Sequence, residues 1–529
     1  MSKPQPKRAN SQSGHIVDFS PLARRCAKAR VWSLNRQNPC VVQSSLLTRL
    51  VRRASVTNFG QAHGFDQIAK LRDYQQRVPI RHYTEFWQEW WQEKYPDLIN
   101  RTWPGRIPYF AMTSGTTTGR SKYIPYTSEM RRSAAQGFLD LLCFHFVNRP
   151  DSRLLGGAAL GLTGPTDLQR AASGVDVGSV SAITAGALPN WFEGRVLPPP
   201  DIAGIEDWEE KIRRLAPLSL RKDVRFLGGS PNWLLIFLDE LAQAGDTSGV
   251  KLVDWYPNLE LIVHGGVNFA PYRQRFLRLM QGGHAETREM YSASEGVFAY
   301  ADKGDGEGMR LHLNGNVFFE FIPAEQIHSK SPDRHWVGNI ETGVDYALAI
   351  STAAGLWSYI VGDIVRFVDI SPPRLLVVGR VENGLSVFGE HLIEAEIADA
   401  VAAAASNTGL SVIDYSVGTV CQDQRNRHLY LIEVERKPQP NAAESFAAIV
   451  DKVLCAQNDD YSELRTGGLA LSAPEVNFVA KGGFLRWMKS RRGLGGQYKV
   501  PRLVTDASLF DDMRKAILSQ ATEGQSHDG

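Results

Sequence analysis

The sequence predicts an α/β protein: a large N-terminal domain with covered β-sheets over residues 1–379, and a small α+β C-terminal domain over 380–529. Three observations carry this expectation. The chain has 529 residues, more than a single core of the usual ~100–200 residues accommodates. Between 155 and 265 short apolar runs alternate with helical patterns, as in βαβ units whose sheet is covered on both faces. After residue 380 the pattern changes to an Ala-rich helical stretch, two strands, a helix and a further strand.

The elements follow in order. Residues 45–100 read as helical, with Phe86, Trp87, Trp90 and Trp91 at helical spacing as a core-facing stripe. Residues 107–112 form a strand end and 128–147 a helix. Ala158–Leu162, Val224–Leu227 and Leu259–Val263 are strands, with a helix over Asn232–Ala242. Asn316–Ile322 is a strand bounded by the turn Asn314-Gly315. Tyr346–Thr352, Ile364–Val368 and Leu375–Val378 follow. In the small domain 391–405 is a helix. Ser411–Val420, His428–Glu435 (alternating apolar and polar) and Pro474–Ala480 are strands, and Ala442–Ala456 is a helix.

Composition narrows the function. The apolar fraction of 43% and charged fraction of 22% are those of a globular enzyme. Fifty-nine basic and 57 acidic residues leave a net charge of +2, without the basic excess of a dedicated nucleic-acid binder. The five cysteines, Cys26, Cys40, Cys143, Cys421 and Cys455, contain no CxxC pair. Inert thiols in a reducing cytoplasm are expected, not a zinc site or disulfide framework. No apolar run approaches the ~18 residues of a membrane span, and Met1–Gly14 lacks the apolar core of a secretory signal.

Four segments carry chemistry. The first is Thr113-Ser114-Gly115-Thr116-Thr117-Thr118-Gly119-Arg120-Ser121-Lys122. Glycines, hydroxyls, backbone N–H groups and a lysine suit a polyphosphate; the plainer reading is a polar surface loop. A Walker A loop is excluded by spacing, because three residues, not four, separate Gly115 and Gly119. The second is Tyr291-Ser292-Ala293-Ser294-Glu295, which suits a nucleotide base and a Mg²⁺-bound phosphate, or a helix capped by Ser292 or Ser294.

The third runs from Gly355 to Asp363 and contains Tyr359. Asp363, at the edge of the expected strand 364–368, can accept hydrogen bonds from both hydroxyls of a ribose, or serve as a turn aspartate. The fourth, Arg491–Arg502, sets Lys499 among glycines. It reads as a mobile loop that brings a cation to a leaving pyrophosphate, or as a solvated basic loop.

In this order the segments resemble the adenylate-forming superfamily. Within it they resemble the auxin-responsive Gretchen Hagen three family of acyl acid amido synthetases. The phosphate loop resembles Thr113–Lys122, and the aromatic-Ser-Ser-Glu segment resembles Tyr291–Glu295 with Ala293 in place of a serine. Gly355–Asp363 and the ending Gln497-Tyr498-Lys499-Val500-Pro501-Arg502 match as well. Thr57-Asn58-Phe59-Gly60, Phe319–Pro323 and Leu385-Ser386 extend the likeness over residues 50–505.

The resemblance implies an ATP-dependent ligase with Mg²⁺ as cofactor. A carboxylic acid becomes an acyl-adenylate with release of pyrophosphate, and an amino acid amine then takes the acyl group and AMP leaves. It implies that Thr113, Ser114, Gly115, Thr116, Thr117, Gly119 and Lys122 hold the triphosphate. Tyr291 and Ser292 face the adenine in a site that includes Tyr359, Asp363 faces the ribose, Glu295 holds Mg²⁺, and Lys499 acts from the small domain. It further implies that the small domain is mobile about Gly379–Gly384.

Two departures stand out. Ser358 and Ile360 replace arginines often found in the family, at positions expected to touch phosphate or the acyl pocket. His264, in Val263–Asn268, is either a pocket residue or a structural one. An acyl-CoA ligase and a catalytically silent nucleotide- or acid-binding module are the competing expectations.

Overall fold

The computed structural model describes residues 17–113, 122–162, 168–171, 173–185, 194–205, 207–244, 251–327, 329–381, 392–422, 425–436, 438–466, 471–492 and 500–518. In chain order its strands are β1 (Tyr109–Thr113), β2 (Lys122–Tyr126), β3 (Ala158–Gly161), β4 (Gln169–Arg170), β5 (Asp176–Gly178), β6 (Val196–Leu197) and β7 (Val224–Gly229). Next come β8 (Leu261–His264), β9 (Glu286–Ala293), β10 (Gly296–Tyr300), β11 (Met309–Leu311), β12 (Val317–Pro323), β13 (Asp345–Thr352), β14 (Tyr359–Ile370) and β15 (Pro373–Arg380). The small domain adds β16 (Val412–Gln422), β17 (Arg425–Val434), β18 (Glu475–Ala480) and β19 (Leu503–Val504).

The main sheet has the order β12-β13-β14-β15-β11-β10-β9-β8-β7-β3-β6. Strands β6, β3, β7, β8 and β9 run parallel. From β9 onward every pairing is antiparallel. The helices Pro231–Ala244 and Ala270–Leu279 cross over between the parallel strands and bury Trp233, Leu238, Tyr272 and Phe276 beside Leu227 and Ile262. The helix Ser128–Asn148, capped by the Thr127 hydroxyl that accepts the Met130 N–H, places Leu141 and Phe144 with Leu261 and Val263. The expected βαβ half with both faces covered is therefore present. A second sheet, β2-β1-β5-β4, stands apart from it.

The expected helix over 45–100 is broken into short pieces: Pro39–Ala54, Asn58–Ala62, Leu71–Arg77, Tyr83–Phe86 and a widened turn over Trp87–Trp91. Gly60 is one cause, since a Cβ there would sit 2.1 Å from the Ala54 carbonyl oxygen. The chain can fold back that tightly only without a side chain. The aromatic stripe does face the core. Phe86 and Trp91 are fully buried and stack at 5.1 Å, with Trp87 and Trp90 packed against the same cluster.

In the small domain the sheet runs β18-β17-β16-β19. The expected polar face of β17 is not polar. Tyr430, Ile432 and Val434 pack under the helices Glu394–Thr408 and Ala442–Gln457, while Leu429 and Leu431 pack with Phe484 and Phe510 on the other side. The domain meets the large one through paired charges. Arg275 spans Asp239 (2.5 Å) and Glu435 (3.0 Å), and Lys481 reaches Asp239 (2.6 Å). Arg502 contacts Asp414 of its own domain and the Tyr272 hydroxyl of the large one.

At the amino ends of β8 and β9 lies a buried polar network. His145 Nδ1 is 2.7 Å from Glu286 and its Nε2 is 3.0 Å from the Ser152 hydroxyl, which donates to Glu260 (2.5 Å). Burial raises the Glu286 carboxyl, but His145 and Arg288 more than offset this and hold it at about 2. A carboxylate depressed from 4.5 stabilises the fold above the unfolded value and loses that contribution as pH falls through the folded one. Acid titration of the melting temperature is expected to show a decline between about pH 4.5 and 2, and Glu286→Gln to flatten it. An unchanged acid profile in Glu286→Gln would remove this network from the account of acid stability.

Among the described residues no helix is long and apolar enough to cross a membrane.

Candidate active site

Four of the residues singled out from sequence, Tyr291, Glu295, Tyr359 and Asp363, meet where the parallel half of the main sheet joins the antiparallel half. Tyr291 lies in β9, and Glu295 in the tight turn that joins β9 to β10. The alternative of a helix capped by Ser292 or Ser294 does not hold, because the segment is a hairpin with Gly296 opposite Ala293. Ser292 is exposed, while Tyr291 and Glu295 are buried.

Strand β14 supplies the other half. It begins at Tyr359, so Asp363 stands inside the strand and not at its edge. Its cross-strand partner in β15 is Arg380. The Tyr291 hydroxyl donates to Asp363 Oδ2 at 2.7 Å, and Arg380 Nε lies 3.1 Å from Oδ1. The Tyr359 hydroxyl donates to Glu295 at 3.0 Å. Two tyrosines and two carboxylates are thus interlocked across two hairpins.

The electrostatics follow from burial. Desolvation raises the Glu295 carboxyl above its ordinary value, with the Tyr359 hydroxyl and the Lys122 charge acting the other way. Tyr291 and Tyr359 are pushed well above 10 by burial and by their carboxylate neighbours, so both remain protonated donors. A dry carboxylate beside protonated hydroxyls favours an incoming cation over a second carboxylate. Glu295 therefore fits a Mg²⁺ ion that takes one or two carboxylates and completes its shell with phosphate oxygens and water.

Lys122 opens β2, directly opposite Thr113 at the end of β1. Its ammonium sits 5.7 Å from the Tyr83 ring centre, and the Tyr83 hydroxyl accepts the Tyr123 N–H at 2.9 Å. The candidate phosphate loop therefore closes a β-hairpin, unlike the strand–loop–helix of a P-loop. Ser114, Gly115, Thr116, Thr117 and Gly119 lie outside the described residues, as does Lys499. The end of the Lys499 segment is fixed: Pro501 accepts the Ser416 hydroxyl (2.7 Å), and the Arg502 guanidinium lies 4.4 Å from the Tyr415 ring centre.

Ser358 and Ile360, the two departures from the family, are both engaged by protein. Ser358 is fully buried: its hydroxyl accepts from Arg334 (2.7 Å), donates to Glu320 (2.7 Å) and lies 3.1 Å from the Tyr74 hydroxyl. Ile360 packs with Ile322, Ala347 and Ala349. Tyr359 and Val361 point to the opposite side of β14 from Ile360.

His264 ends β8 opposite Glu289, two residues before Tyr291. It stacks on Phe269 at 3.9 Å, and burial lowers it to about 4, so the ring is neutral near pH 7. Arg380 was missed as a site residue. Its only sequence signal was its place after Gly379, which says nothing of the register that sets it beside Asp363.

Comparison with known proteins bears on this arrangement. Models of the GH3 family match along the chain: the N-terminal domain over residues 32–198, the central domain over 311–380 and the C-terminal domain over 395–508. The chain belongs to the GH3 family. Tyr359, Asp363 and Arg380 fall in its central domain, and Lys122 in its N-terminal domain.

Among relatives of this GH3 chain is the indole-3-acetic acid-amido synthetase GH3.3 of Arabidopsis thaliana, 27% identical over 281 residues, 50% of this chain and 47% of that protein. The chain spans about half the length of the curated relatives it matches. Of solved structures, the GH3.15 acyl acid amido synthetase superposes with a TM-score of 0.77 at 17% identity, covering 97% of this chain and 98% of that one. A 2-hydroxyisobutyryl-CoA ligase in its postadenylation state, with R3-HIB-AMP, gives a TM-score of 0.56 at 13% identity over 95% and 91%. These likenesses establish the fold: a mixed α/β enzyme architecture with a large N-terminal and a C-terminal domain.

Proposed function

We propose that this GH3 protein is an ATP-dependent acyl acid amido synthetase. The observation that carries the reading is the interlocked set Tyr291–Asp363–Arg380 and Tyr359–Glu295, with Lys122 on the adjoining hairpin. It gathers an acceptor for ribose hydroxyls, a desolvated carboxylate for a metal and a lysine for phosphate at a topological switch of the sheet, where α/β folds bind nucleotides.

The chemistry follows. A carboxylate oxygen of the acid attacks the α-phosphorus of ATP, and the bond to pyrophosphate breaks. The amine nitrogen of an amino acid then attacks the acyl carbon, AMP leaves, and the nitrogen loses a proton. Positioning and charge stabilisation supply most of the rate.

Each residue has a part. Asp363 spends one lone pair on Tyr291 and faces Arg380 with the other oxygen. An ionised carboxylate has about four acceptor sites, so two remain for the ribose hydroxyls. Tyr291 and Ser292 border the base. Thr113 and Lys122 anchor the ends of the loop that holds the triphosphate through Ser114, Gly115, Thr116, Thr117 and Gly119. Glu295 would hold Mg²⁺, which neutralises phosphate charge when bound. Lys499 enters from the C-terminal domain, which turns about residues 379–384 between the two half-reactions.

Acid-dependent exchange of pyrophosphate into ATP tests the first step across a panel of aromatic and aliphatic acids. Offering amino acids or coenzyme A then tests the second, and exclusive thioester formation would assign the protein as an acyl-CoA ligase. No exchange with any acid would leave a silent binding module. Lys499→Ala is expected to lower kcat by about 100-fold, the order seen when one preorganised cation or donor is removed from a transition state. ATP affinity should stay within about twofold. A matching loss of ATP affinity would make Lys499 a ground-state binding residue instead.

A further inference from the structure

Positive charge is spread unevenly along this chain. The first 65 residues hold eleven Lys and Arg against one acid, Asp18, whereas the remaining 464 hold 48 against 56. Several of the eleven are already engaged. Arg30 pairs with Asp140 (2.8 Å) and Arg53 with Glu129 (2.6 Å), while Arg24 donates to the Pro150 and Ser152 carbonyls and Arg49 to the Asn316 side chain. Asp18 itself is taken by Arg153 at 3.0 Å. Arg25, Lys28 and Arg36 are exposed, and none of these three side chains has a hydrogen bond or ion pair among the described residues.

All three belong to one helix, Ser20–Asn35, and its C-cap Arg36. The inner side of that helix buries Ala27, Val31 and Leu34 beside Leu141 and Phe144 of the helix Ser128–Asn148. Leu22, Arg25, Ala29, Trp32 and Arg36 follow one another at spacings of 3, 4, 3 and 4, which makes them one stripe on the opposite side. All five are exposed. At 1.5 Å per residue the stripe is about 21 Å long. Its two large apolar side chains are largely open to solvent, Leu22 at 61% and Trp32 at 63%. The Arg36 guanidinium lies 4.7 Å from the Trp32 ring centre. Lys28 flanks the stripe between Arg25 and Trp32.

We infer that this stripe docks the protein onto an anionic lipid surface, with the helix axis in the plane of the headgroups. The chain then lies on the membrane and does not span it. An indole suits the headgroup level, and each Lys or Arg brought to an anionic surface tightens binding about fivefold. The outward side of a lone helix is convex, whereas the anchors of a protein interface sit in pockets. A nucleic-acid duplex would take the cations through its phosphates, but gains nothing from Leu22. Residues 1–17 carry Lys3, Lys7 and Arg8 and no acid, so the preceding chain brings no counter-charge to the stripe. This docking stands apart from the proposed reaction and uses none of its residues.

The test is co-sedimentation of the full-length protein with vesicles of phosphatidylcholine alone and of phosphatidylcholine with phosphatidylglycerol, at low and high salt. Binding is expected to the anionic vesicles only, and to fall as salt rises. Arg25→Gln/Arg36→Gln should weaken it by about 25-fold, two fivefold losses together, and Trp32→Ala by about tenfold. All three side chains are exposed, so the melting temperatures should match wild type. Equal binding to both vesicle types, or to neither, overturns the inference, as does unchanged binding of the double variant. Trp32→Ala binding as tightly as wild type would leave a bare charge effect and overturn docking by the stripe. Duplex DNA bound more tightly than the anionic vesicles at equal charge concentration, and lost with the same substitutions, would assign the stripe to nucleic acid instead.

Discussion

Replacing Asp363 with alanine is expected to weaken ATP binding by about 10- to 100-fold, the equivalent of the 1.5–3 kcal/mol typical of hydrogen bonds to a charged group. The substitution removes the proposed ribose acceptor. It also strips the buried Tyr291 hydroxyl of the carboxylate to which it donates at 2.7 Å, so the donor that borders the base loses its orientation. Asp363→Asn separates the two effects, because an amide keeps one acceptor oxygen for Tyr291 while giving up the charge. It should bind ATP with intermediate affinity. Titration calorimetry with ATP measures both variants, and melting curves show whether the fold is intact. Equal ATP affinity in Asp363→Ala and wild type would sink the ribose assignment, and with it the orientation of nucleotide on which the other roles depend.

The chain order of the motifs was readable, and so were most elements, because each is written in a few consecutive residues. Tyr291–Glu295 and Gly355–Asp363 were found as short strings for that reason. What the strings did not contain is the contact between them. Tyr291 meets Asp363 across 72 positions, and Tyr359 meets Glu295 across 64. Their registers depend on irregularities between Val297 and Ala299 and between Ile364 and Val365. A one-residue slip moves a side chain to the other face of a sheet, and no local pattern announces it. Arg380 was invisible as a partner for the same reason.

Alternation misled in β17, where a polar face was expected. Glu433 there is buried and accepts the N–H groups of Gly482 (2.7 Å) and Phe484 (3.0 Å) at the start of the helix Gly483–Arg492. Burial lifts its carboxyl to about 7 in spite of those bonds. The sequence marks the residue as charged; only the packing makes it a cap under a helix.

Ser358 is the sharpest case, and it carries the second large prediction. Its left-handed backbone (φ 45°) is held by its own N–H, which donates to the Ser351 hydroxyl at 2.9 Å. Its side chain joins Glu320, which is fully buried and also accepts from Arg334 Nε (3.0 Å) and Gln75 (3.1 Å). Glu320→Ala leaves the Arg334 charge, itself only 11% exposed, without its carboxylate. Breaking a buried pair in this way costs about 3–5 kcal/mol, which for a domain of this size lowers the melting temperature by roughly 10 °C. Glu320→Gln, which retains an acceptor and the shape, should lose less. Ser358→Ala distinguishes the two readings of the departure from the family. A structural serine lowers the melting temperature and leaves ATP affinity alone, whereas a phosphate contact does the reverse. A melting temperature for Glu320→Ala within about 2 °C of wild type would mean that the network contributes little, and that Ser358 is held in its strained backbone by the Ser351 bond and the surrounding core alone.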